Sequence, residues 1–213
     1  MLLAFDTASP QVSVAGLDDE GTVLAEIVSA ETMRHGEQLA PLIEQALTEA
    51  GATRLDVTAV AVGAGPGPFT GLRVGLVTAR TLGFVLDVPV YGVCSLDVLA
   101  LEAVETGAVD GPFVVATDAR RKEVYLATYD ESGERIDGPL VERPDVVAST
   151  GPVVGEGARL YPDAFPQPVG PLRVSAGWLG RAVHGERVEL IDPDPLYLRR
   201  PDAEVPSAPK PVS

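Results

Sequence analysis

The sequence has little cysteine and little histidine, and both scarcities limit the chemistry that the chain can perform. Its single cysteine, Cys94, cannot form an internal disulfide, which favours a reducing cytoplasmic setting, and we expect it to be buried. The two histidines, His35 and His184, lie far apart, and neither an H-x-x-x-H nor an H-E-x-x-H motif is present. We therefore predict no metal site built from histidines, which disfavours a metallopeptidase.

Basic residues are also scarce. Lysine and arginine number 16 against 31 aspartates and glutamates, and the net charge is −15. Such a chain repels nucleic acid over most of its surface, so if it acts on RNA we expect a basic partner to hold the RNA. Two short basic clusters are exceptions. Each would either contact RNA or an acidic partner, or be a solvated surface without a partner, and the sequence favours the solvated surface. The clusters are Arg120, Arg121 and Lys122, and Arg199 and Arg200.

Long apolar runs and the features of a secretory leader are missing as well. The longest apolar candidate, residues 69–90, is interrupted by Arg73, Arg80 and Asp87, so we predict no membrane span. The first six residues lack the basic segment and the cleavage site of a signal peptide. Because 46% of the 213 residues are hydrophobic, the chain can still bury a substantial core.

Glycine is abundant and is concentrated between residues 63 and 75, which read Gly-Ala-Gly-Pro-Gly-Pro-Phe-Thr-Gly-Leu-Arg-Val-Gly. The run follows a predicted strand at residues 57–62 and leads into a predicted helix, in whose first turn Pro68 would fit. Such a turn brings the backbone close to a phosphate or to another backbone. The phosphate alternative fits less well, because the Gly-Lys-Ser/Thr of a P-loop is missing and Pro66 and Pro68 remove N–H donors.

The predicted helix carries a ridge of small residues. Gly71, Gly75, Ala79 and Gly83 recur at every fourth position and therefore lie along one side of the helix. Each interior glycine costs about 1 kcal/mol relative to alanine, so the ridge indicates that something packs unusually close. The sequence leaves two alternatives open, a contact inside the chain and a surface for another subunit.

Hydrophobic periodicity predicts an internal repeat. A shift of 112 positions aligns Asp6 with Asp118, and in each copy an apolar strand ends in this aspartate and is followed by a second strand. The first half reads β-β-β-α-β-α and the second is a truncated copy, so we predict two lobes, residues 1–110 and 111–213. The proline-rich segment from Asp192 to Ser213 either wraps the surface or stays mobile. Predicted strands are 2–6, 12–17, 57–62, 89–93, 113–118, 124–129 and 152–155, and predicted helices are 39–50, 95–105, 176–183 and the helix with the small ridge that follows the glycine-rich turn.

Two such halves resemble the actin/Hsp70/sugar-kinase superfamily, an α/β, ribonuclease H-like fold. Sequence motifs narrow the resemblance to the bacterial TsaB family, also called YeaZ, over nearly the whole chain and in the right order. The chain has Pro68 at a position where this family usually has serine. This difference puts in question any role for a side-chain hydroxyl at that position, but it does not affect the predicted turn. The motifs are Ala-Phe-Asp-Thr-Ala at 4–8, Arg-His-Gly-Glu-Gln-Leu at 34–39, Gly-Pro-Gly-Pro-Phe-Thr-Gly-Leu-Arg at 65–73, Val-Tyr-Gly-Val at 90–93 with Ser-Leu at 95–96, Asp-Ala-Arg at 118–120 with Glu-Val-Tyr at 123–125, and Tyr-Leu-Arg at 197–199.

The resemblance implies a non-catalytic scaffold and activator in the synthesis of threonylcarbamoyladenosine beside the tRNA anticodon. The implied partners are TsaD, the paralogue that transfers threonylcarbamoyl from threonylcarbamoyl-adenylate to the adenosine, and TsaE, an ATPase that joins the pair. The chain would then be a cytoplasmic pseudoenzyme without a cofactor of its own, since its partners use ATP and Mg²⁺. It would contact tRNA only through the complex, as a heterodimer with TsaD or, without TsaD, as a homodimer.

The resemblance also implies that TsaD pairs with the first lobe through two helices, here residues 35–50 and 69–86. The small ridge lies on the second of these, so we expect Gly75→Leu or Ala79→Trp to abolish pairing while leaving the fold intact. The predicted partner-interface residues are His35, Gln38, Leu39, Leu42, Phe69, Gly71, Leu72, Gly75, Ala79 and Gly83.

Kinase relatives of the superfamily suggest the alternative of a stand-alone ATPase or kinase. Asp6 and Asp118 would then hold magnesium, and Thr7 and Ser9 would offer hydroxyls to phosphate. Against this alternative, Ala-Arg-Arg-Lys at 119–122 fills the turn in which active relatives carry glycines. We therefore predict at most weak nucleotide binding by Asp6, Thr7 and Ser9, and no catalytic residue.

Overall fold

A computed structural model describes residues 1–30 and 34–199, which form two β-sheets joined by shared helices. Of the predicted tail from Asp192 to Ser213, residues 200–213 lie outside the described residues.

The first sheet has six strands in the order β11-β5-β4-β1-β2-β3. Its central strand β1 runs antiparallel to β2 and parallel to β4, and every residue of β1 and β2 is buried because helices cover both faces of the sheet. The strands are β1 (Leu2–Asp6), β2 (Ser13–Leu17), β3 (Val23–Val28), β4 (Ala59–Gly65), β5 (Val90–Cys94) and β11 (Leu190–Ile191).

Alternate side chains of β1 point into two different cores, as the period of a strand requires. Leu3 and Phe5 pack with α1 (His35–Glu49) and α2 (Phe69–Leu86) on one face of the sheet. Leu2 and Ala4 pack on the other face with α3 (Ser95–Glu105) and α5 (Ala176–His184). A short 3-10 turn at Arg54–Asp56 precedes β4.

The second sheet has five strands in the order β10-β9-β6-β7-β8. Helix α3 contacts β6, β7 and β9 as well as the first sheet, so a single core cluster extends from one sheet to the other. The remaining elements are β6 (Phe113–Asp118), β7 (Val124–Tyr129), β8 (Arg135–Glu142), β9 (Val153–Val154), α4 (Glu156–Leu160) and β10 (Pro168–Val169).

Local elements follow the sequence prediction closely, and the long-range topology differs in one respect. β1, β6, β7, α2 and α3 begin and end at the predicted residues. Helix α5 and strand β11, however, return to the first sheet, although they follow residue 110 in the chain. Residues 176–191 were therefore wrongly assigned to the second lobe. Pro68 also differs from expectation, because it precedes α2 as its N-cap and does not lie in the first turn.

Helix α2 is long and apolar enough to cross a membrane by length and composition alone. One side of it packs on the first sheet through six buried residues.

Candidate functional site

The small ridge of α2 faces its own chain. A Cβ atom on Gly71 would lie 2.4 Å from the carbonyl oxygen of Thr7, and one on Gly75 would lie 2.3 Å from Thr7 Oγ1. A Cβ atom on Gly83 would lie 2.3 Å from the side chain of Val90. Gly71 and Gly75 let α2 pass close to Thr7 at the end of β1, and Gly83 lets it pass close to β5. Of the two alternatives for the ridge, the structure therefore shows the contact inside the chain.

This packing contradicts most of the predicted partner interface. Seven of its residues are buried inside the chain and offer no surface to a partner, namely His35, Leu39, Gly71, Leu72, Gly75, Ala79 and Gly83. Gln38 and Leu42 are half-buried, and Phe69 is 44% exposed. The expectation that Gly75→Leu leaves the fold intact is also wrong, since a leucine side chain would overlap Thr7.

His35 is the first residue of α1 and has a structural role. Its ring is buried, and Nε2 donates a hydrogen bond to the carbonyl oxygen of Ser9 at 2.8 Å. This bond ties the start of α1 to the turn after β1. His184 is the last residue of α5 and is exposed, with Nε2 2.9 Å from the carbonyl oxygen of Asp19.

The opposite side of α2 carries exposed apolar side chains. Phe84 is 89% exposed, Val85 68% and Val77 62%, and Phe69 at the start of the helix continues this surface. We call Phe69, Val77, Phe84 and Val85 the outer face of α2. Sequence reasoning missed three of these four residues, although their spacing around the helix, opposite the glycines, was a usable indication.

A segment after β11, residues 192–199, borders the outer face, and we call it the C-terminal strap. The ring of Tyr197 stacks on Phe69 with 5.3 Å between centroids, and its hydroxyl accepts a hydrogen bond from Arg73 Nε at 3.0 Å. The N–H of Leu196 donates to the carbonyl oxygen of Ala64 at 2.9 Å, and Asp194 forms an ion pair with Arg80. The strap thus fixes the edge of the outer face.

The predicted nucleotide residues Asp6 and Thr7 are occupied by internal contacts. Asp6 Oδ2 accepts a hydrogen bond from Ser95 Oγ at 2.7 Å and Oδ1 accepts one from the N–H of Ala8 at 2.8 Å. Asp6 is 1% exposed, and burial raises the pKa of its carboxyl group. The hydroxyl of Thr7 donates to the carbonyl oxygen of Gly71 at 2.8 Å.

Ser9 lies at a crevice that is too small for a nucleotide. The crevice, between Ser9, Asp118 and Arg173, encloses about 20 Å³, which is room for one water molecule. The carboxylate of Asp118 accepts a hydrogen bond from the N–H of Arg120 and pairs with the guanidinium of the same residue. Asp6 and Thr7 are thus engaged inside the chain in this structure, and weak nucleotide binding by Asp6, Thr7 and Ser9 stays a prediction.

Groups suited to metal or nucleophilic chemistry are not clustered in the described ranges. Within residues 1–30 and 34–199, no group of three or more His, Cys, Asp and Glu side chains is arranged to hold a metal ion. Cys94 is buried, as predicted, and burial raises the pKa of its thiol to about 12, so the thiol stays protonated and unreactive at neutral pH.

Comparisons with known proteins point to tRNA threonylcarbamoyladenosine biosynthesis. The family model for TsaD, tRNA N6-adenosine threonylcarbamoyltransferase, matches residues 22–169. The tRNA threonylcarbamoyladenosine biosynthesis protein TsaB of Escherichia coli is 32% identical over 222 residues, covering 93% of this chain and 94% of the relative. An uncharacterized protein of Mycobacterium tuberculosis is 42% identical over 208 residues, covering 95% of this chain and 93% of the relative.

Solved structures give the same result. YeaZ from Pseudomonas aeruginosa has a TM-score of 0.72 and 32% identity, and the match covers 92% of this chain and 99% of the YeaZ chain. A second structure from the same organism is described as an uncharacterized protein with similarity to peptidase YEAZ. It has a TM-score of 0.78 and 31% identity, and the match covers 93% of this chain and 99% of that chain. These matches confirm the predicted two-lobed α/β fold class.

Proposed function

Because the chain belongs to the TsaB (YeaZ) family and therefore takes part in tRNA threonylcarbamoyladenosine biosynthesis, we propose that it acts there as a non-catalytic scaffold. Its partner in this proposal is TsaD, with TsaE joining the pair and tRNA held by the complex in the cytoplasm. Without TsaD, the same surface would pair two copies of the chain.

The outer face of α2 is the observation that carries the proposal. Exposed apolar side chains clustered on one helix surface are typical of protein interfaces, where aromatic residues contribute most of the binding energy. The face is also well supported, because Gly71 and Gly75 on the other side of α2 pack against Thr7, just after β1, and Gly83 packs against Val90 of β5. A partner would therefore meet a preformed surface and lose little conformational entropy on binding.

The closed crevice at the end of β1 supports the non-catalytic part of the proposal. Asp6 and Thr7, which would bind magnesium and phosphate in an ATPase, instead hold β1 to α3 and α2. On this proposal the purified chain alone does not hydrolyse Mg-ATP, and transfer of threonylcarbamoyl to tRNA requires TsaD.

Substitution of the most exposed residue of the outer face tests the scaffold role. Phe84→Glu places a charge in a contact that would lose water, and we expect affinity for TsaD to fall at least about 30-fold, as for an interface hot spot. Isothermal titration of each variant with purified TsaD measures the change. Phe84 is 89% exposed, so the fold should tolerate the substitution.

Ile136→Glu is the matched control. Ile136 lies on β8 of the second sheet and is 65% exposed, so the same chemical change is made away from α2. This variant should bind TsaD as the unmodified chain does. Full affinity of the Phe84→Glu variant would show that the outer face is not the interface.

A further inference from the structure

The C-terminal strap leaves the first lobe and ends on the second. It follows β11, which pairs with β5 in the first sheet, and it then runs along α2. Its last residue, Arg199, reaches the turn between β6 and β7 of the second sheet. There the guanidinium of Arg199 forms an ion pair with Glu123 and donates a hydrogen bond to the carbonyl oxygen of Ala119 at 3.3 Å. The strap therefore connects the two lobes.

The contacts between the lobes on this side are weak. The side chains of Arg199 and Glu123 are 27% and 32% exposed, so water and salt compete with their ion pair. A second contact there, from the hydroxyl of Tyr125 to the carbonyl oxygen of Gly67, has a length of 3.4 Å, which is long for a hydrogen bond. Little free energy is therefore needed to separate the lobes at this place.

The strap itself is anchored more firmly than its last residue. Leu196 and Leu198 pack against the core cluster that both sheets share, and the N–H of Leu196 donates to the carbonyl oxygen of Ala64. The ring of Tyr197 stacks on Phe69 of α2. These anchors hold the strap in a fixed direction, with Arg199 at Glu123.

A buried polar cluster joins the lobes on the other side of the junction. Asp97 of α3 is 6% exposed and accepts a hydrogen bond from the hydroxyl of Tyr129, which belongs to the shared core cluster. Arg135 of β8 lies 3.6 Å from Asp97 and 3.2 Å from Glu189. Separation of these groups would leave a buried charge without compensation, which costs far more than opening a partly exposed ion pair.

We propose that the strap controls the angle between the two lobes. The Arg199–Glu123 ion pair is the contact that opens reversibly, and the Asp97 cluster is the pivot, because the weaker side of the junction separates first. Opening moves the turn between β6 and β7 away from the turn between β4 and α2. The Tyr197 stack acts through Arg199, since it only directs the strap toward Glu123. The proposal does not rest on the docking of TsaD.

A distance measurement between two spin labels on the full chain tests the proposal. Glu37→Cys on α1 and Arg159→Cys on α4 are exposed positions that place one label on each lobe, and Cys94 is buried and stays unlabelled. We expect Arg199→Gln to increase the population at longer distance about fivefold, as the loss of a partly exposed ion pair allows. Arg199→Lys keeps the charge and should increase it less.

Added salt should have the same effect on the labelled chain without a substitution in the strap, and it should change the Arg199→Gln variant little. This titration decides the question even if a strap variant does not fold. Arg143→Gln is the matched control, because it removes an exposed ion pair with Asp145 inside the second lobe. It should leave the distances unchanged.

The double variant Tyr197→Ala/Arg199→Gln tests whether the stack acts through Arg199. It should open the lobes no further than Arg199→Gln alone, whereas independent contacts would give additive effects. Additive opening would overturn the proposal. So would distances that respond neither to Arg199→Gln nor to salt, or an equal response to Arg143→Gln.

Discussion

At the scale of single residues, Glu102 has a carboxyl group whose loss of water on folding is not balanced by hydrogen bonds to both of its oxygens. Within the described residues, its Oε2 is the buried side-chain polar atom left without a hydrogen-bond partner. Burial, with a smaller contribution from the negative charge of Glu26, raises the pKa of Glu102 from its usual value near 4.5 to about 7. Because the folded-state pKa is the higher one, folding favours the protonated form. The contribution of Glu102 to the free energy of unfolding is therefore fully present below about pH 4.5, and it is lost as the pH rises through about 7.

We therefore expect Glu102→Gln to stabilise the protein at pH 8 and to have little effect at pH 4.5. The gain at pH 8 should be about 1–2 kcal/mol, which is less than the full pKa difference implies because the side chain is partly exposed to solvent. Urea unfolding at the two pH values measures it. Glu44→Gln, an exposed substitution on α1, should change neither value. An equal effect of Glu102→Gln at both pH values would show that the charge of Glu102 is not the cause.

Single residues also show the limit of what the sequence could predict about the site. The spacing of Gly71, Gly75, Ala79 and Gly83 correctly indicated an unusually close approach, because a missing Cβ leaves room along one helix side. It carried no information about which backbone fills that room. The same holds for Asp6, since a carboxylate at a strand end can bind magnesium or accept a hydrogen bond from a residue distant in sequence, here Ser95.

At the scale of elements, the C-terminal strap is fixed to α2 chiefly through Tyr197. We expect Tyr197→Ala to remove the stack on Phe69 and the hydrogen bond from Arg73, a loss of about 1 kcal/mol in the local opening free energy of the strap. The N–H of Leu196, which donates to Ala64, should then exchange with solvent about fivefold faster. Hydrogen exchange followed by NMR measures this rate.

Tyr197→Phe separates the two contributions. It keeps the stack and removes the hydroxyl, so exchange of the Leu196 amide should rise less than in Tyr197→Ala. Unchanged exchange in both variants would mean that the Leu196 hydrogen bond and the Arg80–Asp194 ion pair hold the strap without Tyr197.

Elements were predicted well where their cause is local. The ends of α3 follow from the residues around it, and those of α2 were implied by the family resemblance; both match the structure. Helix α5 was also found from its periodicity, but its place on the first sheet was not. That placement depends on Ser13 and Glu26, which accept hydrogen bonds from the first residues of α5 across more than half of the chain.

At the scale of the whole molecule, the two lobes complete one another. Gly180 of α5 lies so close to the first sheet that a Cβ there would be 2.2 Å from Leu17. In the other direction, Asp97 of α3 accepts a hydrogen bond from Tyr129 of β7 at 2.7 Å and lies 3.6 Å from Arg135 of β8. Each sheet therefore buries part of its apolar surface against elements contributed by the other half of the sequence.

This exchange of elements predicts that residues 1–110 do not fold alone. Without α5, the face of the first sheet formed by Leu2, Ala4 and Leu17 loses part of its cover, and β5 loses its neighbour β11. A small lobe has little stability to lose, so we expect the fragment to bind a hydrophobic dye and to unfold without a cooperative transition. Co-expression with residues 111–213 should restore cooperative unfolding, because the missing helix and strand are then supplied in trans. If the fragment 1–110 melts cooperatively by itself, the first lobe folds without α5 and β11 and the prediction is wrong.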